Sequence, residues 1–174
     1  MTAFVTASLS RDHDRNGFCS GVEALDRYLR EFAFQDIKRR VAGCFVALDD
    51  AGEIAGFYTL AATSVPLNLL PPAAAKKLPR YPVLPAMLIG RLAVATKRQG
   101  QGQGLGLGRA LIADAIIRTE SFRIGAYALI VDAKDERARA YYAANGFASI
   151  PDEARRMFLP MATVLQLVEG ERRG

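Results

Sequence analysis

The sequence predicts an α/β (α+β) fold: one domain with a mixed central sheet of about six to seven strands and helices packed against it. Three observations carry that expectation. Short apolar runs of strand length alternate with longer stretches of helical period. The chain has 174 residues, which suits one domain, and 51% of them are apolar, which is ample for one core. A glycine-rich run, Arg98 to Arg109, stands between an apolar run and a helix-like stretch, the order of a strand, a loop and a helix.

Taken in order, Ala3 to Leu9 reads as a first strand. Gly21 to Val41 reads as a helix, because Val22, Leu25, Leu29, Phe32 and Ala33 recur at three- and four-residue steps and form one apolar stripe. Arg27, Arg30, Lys38, Arg39 and Arg40 fall largely off it. Phe45 to Leu48 and Ile54 to Ala61 read as a hairpin around the turn residues Asp49 to Gly52. Residues 62–86 hold six prolines and read as irregular, with one short helix over Pro72 to Leu78. Met87 to Val94 is a strand, and a helix over Ala110 to Ile117 extends to about Ser121. Ala126 to Val131 is a buried strand. Glu136 to Asn145 is a helix stopped by Asn145-Gly146. Arg156 to Leu165 is a last strand. The core runs from about 3 to 166, and 167–174 is a charged tail.

Composition excludes several function classes. Cys19 and Cys44 stand far apart and His13 is the single histidine, so no metal site is expected and a hydrolytic triad is disfavoured. Free thiols fit a reducing cytoplasm. No apolar span has the length of a membrane helix. The net charge of +5 favours an anionic partner without choosing one.

The glycine run suits a phosphate, since glycine leaves backbone N–H groups unblocked at a helix N-terminus. It lacks the Gly-Lys pair of a Walker loop. Its strict alternation fails the Gly-x-Gly-x-x-Gly dinucleotide spacing in every register. Gln-x-x-Gly-x-Gly fits three times, from Gln99, Gln101 or Gln103. This resembles the acetyl-coenzyme A loop of the GCN5-related N-acetyltransferases (GNAT). Ala138 to Phe147 is similar to that family's Ala-x-x-aromatic-Tyr-x-x-x-Gly-Phe segment. Phe18 to Gly21, Leu25 to Arg30, Gln35-Asp36, Tyr58 to Val65, Leu78 to Pro82, Gly90 to Val94, Val131 to Lys134 and Phe158 to Pro160 narrow the resemblance. Together they resemble the GNAT toxins of bacterial type II toxin–antitoxin modules.

That resemblance implies a GNAT domain with a splayed acetyl-CoA site. It implies acetyl transfer from acetyl-CoA, the donor substrate, to the amino group of aminoacyl-tRNA, blocking translation. It also implies a ribbon–helix–helix antitoxin, operator DNA contacted only through that antitoxin, a homodimer, and a cytoplasmic location without membrane contact. On the same basis Leu92, Ala93 and Val94 would hold the pantetheine arm, and Gln103, Gly104, Gly106, Gly108 and Arg109 the pyrophosphate. Counting from Val94 puts the motif's glutamine at Gln99, whereas counting back from Ala110 puts it at Gln103. The chain thus carries a four-residue excess relative to the pattern, and the register anchored on the helix is preferred because the helix end supplies the field for an anion.

Tyr142 is the expected general acid, since a phenol of pKa about 10 is protonated at neutral pH. Asp135 stands where relatives carry an asparagine on the pantetheine arm, and it equally suits a helix cap. No residue stands out as a general base among Glu23, Glu53 and Asp132. Lys76, Lys77, Arg80, Arg91, Arg39 and Arg40 are the expected tRNA contacts. A GNAT enzyme acting on a protein or small-molecule amine, and a non-catalytic acyl-CoA-binding module, are the competing readings.

Overall fold

The computed structural model of the chain describes residues 4–99 and 104–166. Its elements run β1 (Val5–Ser8), α1 (Glu23–Arg27), a π-helical turn (Tyr28–Phe32), α2 (Ala33–Arg39), β2 (Gly43–Leu48), β3 (Ile54–Pro66), α3 (Pro72–Ala75), β4 (Val83–Val94), α4 (Gly104–Ser121), β5 (Ala128–Asp132), α5 (Glu136–Ala144), β6 (Ala148–Ser149) and β7 (Arg156–Pro160). Single turns of 3₁₀ helix stand at Leu67–Leu69 and Thr96–Arg98. The seven strands lie in the order β1-β2-β3-β4-β5-β7-β6. No helix among the described residues is long and apolar enough to cross a membrane.

The chain divides into two compact units, Met1–Ala61 with Ile89–Arg118, and Ala62–Leu88 with Thr119–Gly174. In the first, β1 pairs antiparallel with β2, and β2 with β3. Leu29, Ala33, Val46 and Phe57 are fully buried at its centre, with Leu9, Phe18 and Tyr28 around them. Gly56 is required where α4 crosses β3: a Cβ there would meet the Ala93 carbonyl at 3.0 Å and a Leu111 methyl at 3.1 Å. A polar cluster fixes the same helix. Asp114 of α4 accepts from Thr6 at 2.8 Å, Tyr58 at 2.5 Å and Arg118 at 2.8 Å. Burial pushes the Asp114 carboxyl up, but those three hydrogen bonds outweigh it and hold the group below its ordinary value.

In the second unit, β5 pairs antiparallel with β7, and β7 with β6. Val65, Leu70, Leu84, Ile130, Ile150 and Phe158 make its core. Asn145-Gly146 stops α5 as the sequence predicts: Gly146 sits at φ 93° and the Phe147 amide returns to the Tyr142 carbonyl.

Four expectations need correction. Residues 62–86 are less irregular than their prolines imply, because β3 continues to Pro66 and β4 starts at Val83. Pro85 lies inside β4 and uses only its carbonyl, which accepts from the Tyr127 amide at 2.8 Å. The final strand stops at Pro160, and residues 161–166 are helical; proline pre-sets the backbone angle of a helix start. The third correction is that α4 starts at Gly104, six residues before Ala110. Leu107, Leu111 and Ala115 lie four apart and are all buried, so one apolar stripe draws the glycines into the helix despite their cost of about 1 kcal/mol each. Finally, Phe32 leaves the buried stripe: the π turn adds a residue to its turn and the ring is 40% exposed, while Leu29 and Ala33 are fully buried.

Candidate active site

The strand end and the start of α4 belong to the first unit. Leu92 and Val94 are half-buried and Ala93 is buried. The Val94 carbonyl accepts from the side-chain amide of Gln99 at 2.6 Å, and the same amide reaches the Ser20 carbonyl at 2.9 Å. Ser20 is itself fixed, since Asp26 accepts from its amide at 2.9 Å and from its hydroxyl at 2.7 Å. The turn that leaves the strand is thereby tied to the segment before α1. Gly21 belongs there for two reasons, a φ of 85° and a Thr96 methyl 3.3 Å from where a Cβ would stand.

Gly104 and Gly106 fall in the first turn of α4, where backbone N–H groups have no partner inside the helix. That turn carries no acidic residue, and a Cβ on Gly106 would meet nothing within 4 Å. The start of a helix is positively polarised, and Gly106 leaves open space beside it. Gly108 is buried and is the fifth residue of α4. Arg109 is exposed. Gln103 lies outside the described residues.

Tyr142 belongs to the second unit. It stands on α5 with Phe147 edge-on at 5.5 Å and Tyr141 at 5.6 Å. Burial, with Tyr141 beside it, pushes its hydroxyl up to about 12. The hydroxyl is therefore protonated at neutral pH. Asp135 is the N-cap of α5: its Oδ1 accepts from the Ala138 amide at 2.8 Å.

Each carboxylate considered as a base is already held in an ion pair. Glu23 pairs with Arg30 at 2.9 Å, Glu53 with Lys97, and Asp132 with Arg156 at 2.9 Å. Lys76, Lys77 and Arg80 are exposed beside or soon after α3, and Arg39 and Arg40 are exposed at the end of α2. Arg91 is different. Its guanidinium lies 3.6 Å above the ring of Tyr28, packed against an aromatic face rather than extended into solvent. Among the described residues no group of three metal-ligating side chains occurs.

The family model described as "Acetyltransferase (GNAT) family" matches residues 8–147, and the chain belongs to that family. It is an acetyl-CoA-dependent N-acetyltransferase. It is 35% identical over 160 residues to the "tRNA-acetylating toxin" of Mycobacterium tuberculosis, covering 92% of this chain and 93% of the relative. Among solved structures it resembles a tyrosine-to-phenylalanine variant of KacT, with TM-score 0.83 and 28% identity over 94% of this chain and 98% of the other. It also resembles AtaT complexed with acetyl-methionyl-tRNAfMet, with TM-score 0.84 and 25% identity over 95% and 99%.

Sequence reasoning missed the Tyr28, Asp36 and Arg91 cluster and the tether made by Gln99. Leu25 to Arg30 and Gly90 to Val94 were both legible as motifs. Their juxtaposition depends on the π turn, which no apolar period announces.

Proposed function

We propose that residues 1–174 act as one acetyltransferase domain that moves an acetyl group from acetyl-CoA to the α-amino group of aminoacyl-tRNA, blocking translation in the cytoplasm. The observation that carries this reading is the 35% identity over 160 residues to a relative named as a tRNA-acetylating toxin. Glu23, Glu53 and Asp132 are not set apart as bases, which suits an acceptor that is neutral without help. An α-amine has a pKa of about 8 and a lysine side chain about 10.4, so the former is the acceptor such a site can use at neutral pH. The relative named as a tRNA-acetylating toxin supports the same acceptor.

Acetyl-CoA supplies the activated acyl group. The amine nitrogen forms the new C–N bond as the C–S bond breaks, and the nitrogen's surplus proton goes to solvent. Tyr142 gives its proton to the departing thiolate and is reprotonated from water. Gly104 and Gly106 hold the pyrophosphate at the start of α4, and the strand end Leu92 to Val94 aligns the pantetheine arm. Arg80, Lys76, Lys77, Arg39 and Arg40 contact RNA phosphates. A ribbon–helix–helix antitoxin neutralises the toxin and contacts operator DNA on its behalf, and the toxin works as a homodimer.

The test is incubation of the chain with acetyl-CoA and total charged tRNA, followed by mass analysis of the released aminoacyl groups. We expect N-acetylated amino acids. Acetylation confined to lysine peptides or small amines would overturn the reading. So would harmless expression of the native sequence without its neighbouring open reading frame.

A further inference from the structure

A cavity of about 450 Å³ lies within the first unit, lined by Leu25, Arg27, Tyr28, Phe32, Asp36 and Arg91 among others. Its size is that of a small-molecule site. The walls are unusual for a surface hollow. Tyr28 is buried, stacked on Phe57 at an interplanar angle of 15°, and its hydroxyl is tied to Asp36 at 2.9 Å. The Arg91 guanidinium lies over that ring, its Cζ 3.6 Å from the ring centre, and the Arg91 amide is fixed by Thr59 Oγ1 at 3.0 Å. Tyr28 is thus packed against both Phe57 and Arg91, and Arg91 presents a cation at the cavity wall. Among the described residues Arg91 makes no ion pair.

The second wall is the π-helical turn. Its effect is to bring out the Phe32 ring, 40% exposed, with the Arg27 guanidinium 5.4 Å from its centre. An apolar ring left outside forgoes burial that the next residue, Ala33, obtains fully. Such irregular turns cluster at functional sites. Among the described residues Arg27 ion-pairs only with Glu31, and this exposed pair contributes little and exchanges readily. Flat stacking surfaces with loosely held positive charge beside them match one class of ligand, an unpaired nucleobase carrying its phosphate.

We propose that this cavity receives the unpaired 3′-terminal nucleotides of the acceptor RNA. The Phe32 ring and the guanidinium plane of Arg91 are the stacking surfaces, and Arg27 meets the phosphate. The inference rests on the aminoacyl-tRNA reading above and adds a base-binding subsite to it. It also reassigns Arg91 from a phosphate contact to a stacking one.

The substitutions separate these roles. Arg91→Lys keeps the charge and loses the plane, so it weakens charged tRNA as much as Arg91→Ala. Phe32→Leu raises the KM for charged tRNA about ten- to hundredfold, the size of one lost base stack, and Phe32→Tyr stays near native. Phe32→Leu leaves the slope of affinity against salt unchanged, because no phosphate contact is removed, whereas Arg27→Ala lowers it. The KM for acetyl-CoA, unchanged in all five, reports intact folding. Direct binding of a short single-stranded RNA ending in CCA to the full chain, followed by fluorescence anisotropy, repeats the ranking without catalysis. Native KM in Phe32→Leu together with full rescue by Arg91→Lys would overturn the subsite and leave the enzyme reading intact. Binding of the oligonucleotide by a native chain that acetylates no charged tRNA would overturn the enzyme reading and retain the subsite.

Discussion

The two longest helices begin in opposite ways. α4 opens on glycines that alternate with leucine and has no acidic residue in its first turn. α5 opens on Asp135, whose side chain takes the Ala138 amide, followed by Glu136. Both ends carry the same partial positive charge. At α5 the chain's own carboxylates occupy that charge and stabilise the helix. At α4 the first turn holds no carboxylate and is rich in glycine, at a cost in helix propensity. The difference teaches that two helix ends of like polarity are treated differently by their own first turns, and it supports the coenzyme placement proposed above.

The largest expected effect tests the contribution of α5 itself. Tyr142→Phe removes the proton donor and should lower kcat by about 10²- to 10⁴-fold, with the KM for acetyl-CoA unchanged. A rise in that KM instead of a fall in kcat would make Tyr142 a packing residue. The pH profile sharpens the same point. With its hydroxyl pushed up to about 12, Tyr142 stays protonated as pH rises, so the rate should climb through the pKa of the substrate amine and show no alkaline fall before pH 10. Next in size, Gly106→Asp would give α4 the acidic first turn that α5 has. It should weaken acetyl-CoA about tenfold, roughly the upper range of a helix-end charge effect. Gly106→Ala, with open space for its methyl group, should leave affinity near native and raise thermal stability by about 0.5–1 kcal/mol. Equal losses in both variants would mean that the α4 end needs glycine for its shape and not for its lack of charge.

Much of this was legible in the sequence. The succession of most strands and helices along the chain, the Asn145-Gly146 stop and the candidate acid follow from local patterns that each residue expresses within a few neighbours. What was not legible depended on distant partners. Pro85 sits in a strand because Tyr127, far along the chain, needs only its carbonyl. The glycine run is partly helix because Leu107 and Leu111 bury against a core assembled elsewhere. Phe32 is exposed because one turn of helix changes its winding. Of the candidate site, Tyr142 and the glycines were readable as motifs, and the contact of Arg91 with Tyr28 was not, since β4 and the π-helical turn are far apart in sequence.

The smallest effect decides what Asp135 is for. If its role is the cap observed, Asp135→Ala removes one hydrogen bond from the start of α5 and should destabilise the chain by about 1 kcal/mol. Asp135→Asn should recover most of that loss, because a side-chain amide oxygen accepts the Ala138 amide equally well. The KM for acetyl-CoA should not move in either variant. A coenzyme contact predicts the reverse: native stability in Asp135→Ala, a raised KM, and a lowered KM in Asp135→Asn as the carboxylate charge is removed. The contrast between the two helices depends on this outcome. If α5 also used its first residue to hold the coenzyme, a satisfied helix end would no longer mark a site without a ligand. Thermal unfolding and acetyl-CoA titration of the same two variants separate the alternatives.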